Sequence, residues 1–119
     1  MNANAPPLVE RFRFGRITID GREYRRDLII FPDGVQEAWR RGESHLLSVK
    51  DLAPVFRKAP RTLIIGTGVL GSMKVPDETL GELEAGGIKV QTLSSAEACK
   101  EYNRRRTQGS SALAIHLTC

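Results

Sequence analysis

The sequence predicts an α/β fold: a three-layer single domain with a mixed central sheet, N-terminal β-hairpins and about three helices. Three observations carry this expectation. From Leu63 onward, stretches with strand and helix character alternate (strand, helix, strand, helix, strand), which implies parallel pairing through helical crossovers. Before that point the chain reads as short strands separated by tight-turn residues, so hairpins must extend or cover the sheet. Between the two parts, Thr62 to Pro76 runs TLIIGTGVLGSMKVP, a strand that empties into a glycine-rich bend closed by a proline-started helix.

Residues 1–9 read as a disordered lead, and 10–119 as the domain. Arg11 to Phe14 and Arg16 to Ile19 both alternate charged and apolar residues, but the apolar phase slips by one between them. Gly15 is therefore expected to mark a bulge or bend. Asp20-Gly21 is a two-residue hairpin signal that pairs Ile17 with Tyr24 and Thr18 with Glu23. Leu28 to Phe31 is apolar without alternation, as in a strand covered on both faces. Pro32-Asp33-Gly34 turns the chain back along Val35 to Trp39. Trp39 is expected to pack in the core rather than at an interface, because its indole carries a large apolar area.

Ser48 and Asp51 form a capping-box variant ahead of a helix that turns Val49, Leu52, Ala53 and Phe56 to one face and closes at Pro60. Pro76-Asp77-Glu78 opens a second helix with Leu80 and Leu83 as its apolar stripe and Gly86-Gly87 as its end. Ile88 to Leu93 reads as a strand. Ser94 and Glu97 cap a third helix, about Ser95 to Arg106, that turns Ala98, Cys99 and Tyr102 inward. Ser111 to Thr118 is the last strand, with Leu113, Ile115 and Leu117 on one face and Ala112, Ala114 and His116 on the other. The small residues leave room for a close helix.

The glycine bend is the candidate site, since pockets in such sheets usually lie outside the carboxyl ends of strands. Gly66, Gly68 and Gly71 match the spacing of a dinucleotide fingerprint, but two features oppose that reading. Pro76 would fall inside the helix that the fingerprint requires, where proline costs about 3 kcal/mol. No carboxylate stands in the stretch Lys89 to Ala96, where the ribose would need one. Two readings remain. One is a structural turn that exploits the freedom of glycine. The other is a cradle in which the amides of Gly66, Thr67 and Gly68, together with Gly71, hold an anionic group near Pro76. Tyr102 and Asn103 line that cradle if the third helix lies beside it.

Composition excludes several classes. The 119 residues carry 18 basic and 14 acidic groups, a net charge of +4. The arginines are scattered apart from Arg104 to Arg106, and no aromatic residues interleave with that cluster as stacking platforms. It falls where a helix should end and complements the helix dipole, so nucleic acid is not an expected partner. No apolar run approaches the roughly 18 residues of a membrane span, so membrane insertion is not expected. Cys99 and Cys119 suit reduced thiols in a cytoplasmic protein, and with His45 and His116 they give no metal-ligand spacing. Cys99 reads as a small core residue and His116 as a satisfied core histidine. No acid, base and nucleophile set emerges, and neither a catalytic residue nor a cofactor is expected.

The ordered set formed by the Asp20-Gly21 hairpin, Trp39, SVKDL, LIIGTG, GIKV, ACKEYNR from Ala98 to Arg104, and the closing ALAIHLTC resembles the Mth-domain family. That family includes the mitochondrial complex I assembly factor of this domain type and the adipogenesis-associated Mth-domain protein. The resemblance runs from about Phe12 to Cys119. It implies a three-layer α/β fold and mostly non-catalytic roles in binding other proteins, with no family catalytic residues to carry over. The mitochondrial member's targeting extension has no counterpart at this N-terminus. The expected function is a non-catalytic protein-interaction or assembly-factor-like module with a protein partner. The alternative is a binder, or enzyme, of a small anionic ligand at the Gly66–Gly71 loop.

Overall fold

Asp20 and Gly21 both take positive φ, 48° and 82°, the backbone that a two-residue hairpin needs to follow the strand twist. They join β2 (Arg16–Ile19) to β3 (Arg22–Tyr24) in the expected register, Ile17 opposite Tyr24 and Thr18 opposite Glu23. The slip in apolar phase at Gly15 marks something sharper than a bend. With φ at 77°, Gly15 completes a full reversal, and β1 (Val9–Arg13) pairs back on β2 with Arg13 opposite Arg16. The register irregularity lies instead between Val9 and Arg11. β1, β2 and β3 thus form a small antiparallel sheet in that order. The computed structural model of the chain describes residues 5–119. Of the expected lead, residues 1–4 lie outside the described part, while Pro7 is buried and Val9 opens β1.

The main sheet has five strands: β4 (Leu28–Phe31), β5 (Gly34–Gln36), β6 (Thr62–Gly66), β7 (Lys89–Leu93) and β8 (Ser111–Ile115), in the order β5-β4-β8-β6-β7. β6 runs parallel to β7 and β8, whereas β4 runs antiparallel to β5 and β8, so the sheet is mixed. Every residue of β4 and β8 is buried, which is why neither strand alternates apolar with polar.

Among the described residues three α-helices cover the sheet: α1 (Ala53–Lys58), α2 (Asp77–Ala85) and α3 (Ser95–Arg105). The helix expected from Ser48 is broken in two. Val49–Leu52 forms a 3₁₀ turn, α1 starts after it, and Ala53 is exposed while Leu52 and Val55 are buried. Pro54 explains the break, because a residue without an N–H cannot continue the helical ladder and is tolerated only in a first turn. In α2 the inward residues are Thr79 and Leu83, and the Thr79 hydroxyl donates to the Leu47 carbonyl at 2.9 Å. α3 buries Ala98, Cys99 and Tyr102 as its spacing predicts.

Alternation along β8 divides the interior into two cores. Ala112 and Ala114 join Ile29, Leu63 and Ile65 in a core closed by Leu52, Val55 and Leu83 of the α1–α2 side. Leu113, Ile115 and Leu117 join Leu28, Ile30 and Ile64 in a core closed by Ala98, Cys99 and Tyr102 of α3 and by Ile17 and Ile19 of the small sheet. Small residues thus face one helical layer, and large ones face the layer shared by α3 and β1 to β3. Trp39 is buried in the first core, and its indole N–H donates to the Asp51 carbonyl at 2.9 Å. Among the described residues no helix is long and apolar enough to cross a membrane.

Candidate functional site

β6 ends at Gly66, where a Cβ would stand 2.9 Å from Ile115 Cγ1 and 3.0 Å from Ser95 Oγ. The loop that follows is held by the chain itself. Thr67 N–H donates to the Leu93 carbonyl (2.9 Å), Gly68 N–H to Ser95 Oγ (2.8 Å) and Val69 N–H to the Thr118 carbonyl (2.7 Å). Leu70 and Ser72 both donate to the main-chain oxygen of Cys119 (3.1 and 3.0 Å), Gly71 to Gly68 (3.3 Å) and Met73 to Thr67 (3.0 Å). All seven amides from Thr67 to Met73 therefore have protein acceptors. An anionic group here would have to displace Ser95 Oγ or the segment Leu117–Cys119, whose carbonyls hold the loop.

Of the expected site residues, Gly66, Thr67, Gly68 and Gly71 stand together, but Tyr102 and Asn103 are not brought to them. The loop meets the N-terminus of α3 at Ser95, and Tyr102 lies seven residues further on, about 10 Å along the helix axis. There α3 crosses β1. The Tyr102 hydroxyl donates to the Pro7 carbonyl (2.6 Å), and Asn103 accepts from Val9 N–H (3.0 Å) and donates to the Val9 carbonyl (2.7 Å). Asn103 acts as one more rung on the edge of the small sheet.

Beyond β8 the chain enters a charged cluster that no local motif announces. Asp27 stands just before β4. Its Oδ1 accepts from Leu117 N–H (2.8 Å), while Oδ2 lies 2.7 Å from His116 Nδ1 and 2.8 Å from Arg41 Nη2. Arg41 Nη2 also donates to the Ser44 carbonyl at 2.7 Å, and the guanidinium lies over the Trp39 ring at 4.9 Å. The Arg41 side chain is only 3% exposed, and among the described residues its Nε and Nη1 have no partner. Since Asp27 accepts both contacts, Nδ1 of His116 carries its proton toward the carboxylate.

His116 Nε2 faces Thr118 Oγ1 at 3.4 Å, and the His45 ring meets the His116 ring edge-on with centroids 5.5 Å apart. Carboxylate, imidazole and hydroxyl follow one another in the order of a hydrolytic triad. However, the hydroxyl contact is longer than a good O–H···N bond, and the imidazole is 5% exposed. The cluster acts as a clamp that ties the start of β4 and the Trp39–Ser44 segment to the end of β8. His116 is a satisfied interior histidine, as expected. Asp27 and Arg41 escape sequence reasoning because 89 residues separate Asp27 from His116 and 75 separate Arg41 from it.

Cys99, set into the second core, has its thiol pushed up to about 12 by burial. A folded value above the ordinary 9.0 means that the neutral thiol's contribution to stability is complete below pH 9. It is lost as the pH rises from there toward 12. At pH 8 the native protein is expected to take up iodoacetamide at Cys99 at least tenfold more slowly than it does after unfolding in guanidinium, read by mass spectrometry of the tryptic peptides. Equal rates in the two states would contradict the burial.

Fold and site together define a three-layer α/β domain with a mixed five-stranded sheet, an added three-stranded sheet and a self-packed glycine loop. The chain belongs to the family described as protein of unknown function (DUF498/DUF598), whose profile matches residues 9–117, and its fold is that of the Mth938-like domains. It is similar to the conserved hypothetical protein PH1505 from Pyrococcus horikoshii, with 28% identity and a TM-score of 0.84 over 93% of this chain and 98% of that one. It is also similar to the protein named MT938, with 29% identity and a TM-score of 0.79 over 95% and 99% of the two chains. A Mth938-like domain protein of Bordetella pertussis shares the fold at 16% identity, with a TM-score of 0.71 over 98% and 88%.

Proposed function

We propose that this protein is a non-catalytic interaction module that works in the cytoplasm and binds a protein partner through the end of the molecule where the glycine loop lies. One observation carries this reading: Phe14, Val69 and Leu70 are 59%, 40% and 79% exposed. All three belong to turns fastened to the same short segment, because Gly15 N–H donates to the Leu117 carbonyl, Val69 N–H to Thr118 and Leu70 N–H to Cys119. Solvent-facing large apolar groups on turns fastened to one segment support a docking surface. The amides beneath them are already paired within the chain, which favours side-chain docking over capture of a small anion by the loop.

The exposed Arg13 and Arg16 flank Phe14 on the hairpin. The partner that fits is therefore an apolar segment bracketed by acidic residues. Two free thiols, Cys99 and Cys119, support the expectation of a reducing compartment.

A photo-crosslinking residue in place of Leu70, with one in place of the exposed Glu82 on α2 as control, tests this in cells that naturally make the protein. Adducts are expected from position 70 and not from 82, mapping to an apolar peptide with acidic flanks. Leu70→Asp should weaken that complex more than tenfold while leaving the far-ultraviolet circular dichroism unchanged. Equal labelling at both positions, labelling of a second copy of this chain, or no adduct would overturn the proposal.

A further inference from the structure

At the far end of the main sheet from the glycine loop, where β6, β7 and β8 begin, the surface opens into a cavity of about 420 Å³. That volume is within the range of small-molecule sites, but its walls are of an unusual kind. Arg61, Lys89 and Arg105 contribute three cations, Thr62, Gln108 and Ser110 add neutral polar groups, and neither a carboxylate nor a large apolar side chain lines it. Gly87 and Gly109, at φ of 82° and 136°, turn the chain after α2 and α3, and a Cβ on either would meet nothing within 4 Å. These turns keep the mouth of the cavity free of side chains.

The charges in this cavity are largely uncompensated. Among the described residues Arg61 and Lys89 form no ion pair. Arg105 gives its Nε to Glu101 Oε2 at 2.6 Å, a carboxylate it shares with Arg104, and among the described residues its terminal nitrogens have no acceptor. The simpler account is that cations gather here to offset the C-termini of α2 and α3, each worth about half a negative charge. Two half charges, even with the Glu101 carboxylate that Arg105 shares with Arg104, do not balance three full ones, and the excess lies inside a concavity rather than spread over a convex surface.

We propose that this cavity binds the phosphate end of a small molecule carrying a diphosphate or longer phosphate chain. Guanidinium groups grip phosphate oxygens in pairs, and an ammonium adds a third point of contact. Walls without apolar side chains suit a charged head group and not a hydrophobic scaffold, so the organic remainder of the ligand extends outward. The site is separate from the docking surface proposed above and stands or falls independently of it.

The test is a titration of the ¹⁵N-labelled full chain with inorganic pyrophosphate, alongside inorganic phosphate and a single-stranded RNA hexamer, in 150 mM salt. Saturable shifts are expected at the amides of residues 61–62, 87–89 and 105–111, with pyrophosphate tighter than phosphate. Arg61→Gln and Lys89→Gln should each weaken pyrophosphate about tenfold, the effect of losing one charge-assisted contact. Arg26→Gln, an exposed position just ahead of β4 at the opposite end of the sheet, should change it less than twofold. A purely structural role for the cations predicts a lowered Tm in the Gln variants and no saturable binding in the parent chain, which would overturn the proposal. Shifts spread equally over Arg11, Arg13 and Arg16, or tighter binding of the RNA along an extended surface, would overturn it as well.

Discussion

Asp27→Ala is expected to destabilise the protein by about 3–5 kcal/mol, the range found when one partner of a buried ion pair is removed. Arg41 would keep its charge in a site where its side chain is 3% exposed, with Nε and Nη1 already lacking partners. The same substitution strips an acceptor from Leu117 N–H and from His116 Nδ1. Stability of a domain this size is typically about 5–15 kcal/mol, so the loss is a large share of the total. Thermal and urea unfolding measure it. The double variant Asp27→Ala with Arg41→Met should recover at least half, because an apolar replacement of both partners removes the orphaned charge. A single-variant loss below about 1 kcal/mol, or no recovery in the double variant, would mean that the pair is not buried as described.

Gly68→Ala is the second large effect, expected at about 3 kcal/mol or more. Gly68 sits at φ 112°, a conformation that costs a side-chain-bearing residue roughly 1–3 kcal/mol. Its added methyl would also overlap the carbonyl carbon and oxygen of Cys119 and come 3.0 Å from His116 Cδ2. The Leu117–Cys119 segment must then lift, freeing the acceptors used by Val69, Leu70 and Ser72. Hydrogen exchange at those three amides should quicken by at least tenfold. Gly71→Ala is the control: φ is 69°, but the nearest group to its Cβ is Thr67 Oγ1 at 3.6 Å. It should cost only about 1 kcal/mol, the conformational part alone. Equal effects at positions 68 and 71 would show that packing against Cys119 is not the cause.

These two sites also mark where the sequence is and is not readable. The Asp20-Gly21 hairpin, the apolar β4, the proline-started α2 and the inward stripe of α3 follow from local rules, since each is fixed by residues within a few positions of one another. The interruption before α1 is legible too, once the missing N–H of Pro54 is weighed against the apolar spacing around it. The Asp27–Arg41–His116 cluster is not, because nothing local distinguishes Asp27 from any other carboxylate ahead of a strand. Nor does TLIIGTG reveal that its amides are taken. Their acceptors include oxygens near the far end of the chain, and a glycine loop with filled amides has the same sequence as one with free amides. Arg61, Lys89 and Arg105 likewise look like scattered surface charges until the parallel strands bring their starting ends together.

The strand written last, β8, is laid down in the middle of the sheet, with β4 on one side and β6 on the other. During synthesis the β4–β5 hairpin and the β6–β7 pair therefore emerge as two fragments, each with an open seam, and neither can be closed until residues 111–115 leave the ribosome. A chain cut short before Ser111 loses the keystone and not an edge. Premature termination should hence yield two sticky, unjoined halves instead of a slightly smaller protein.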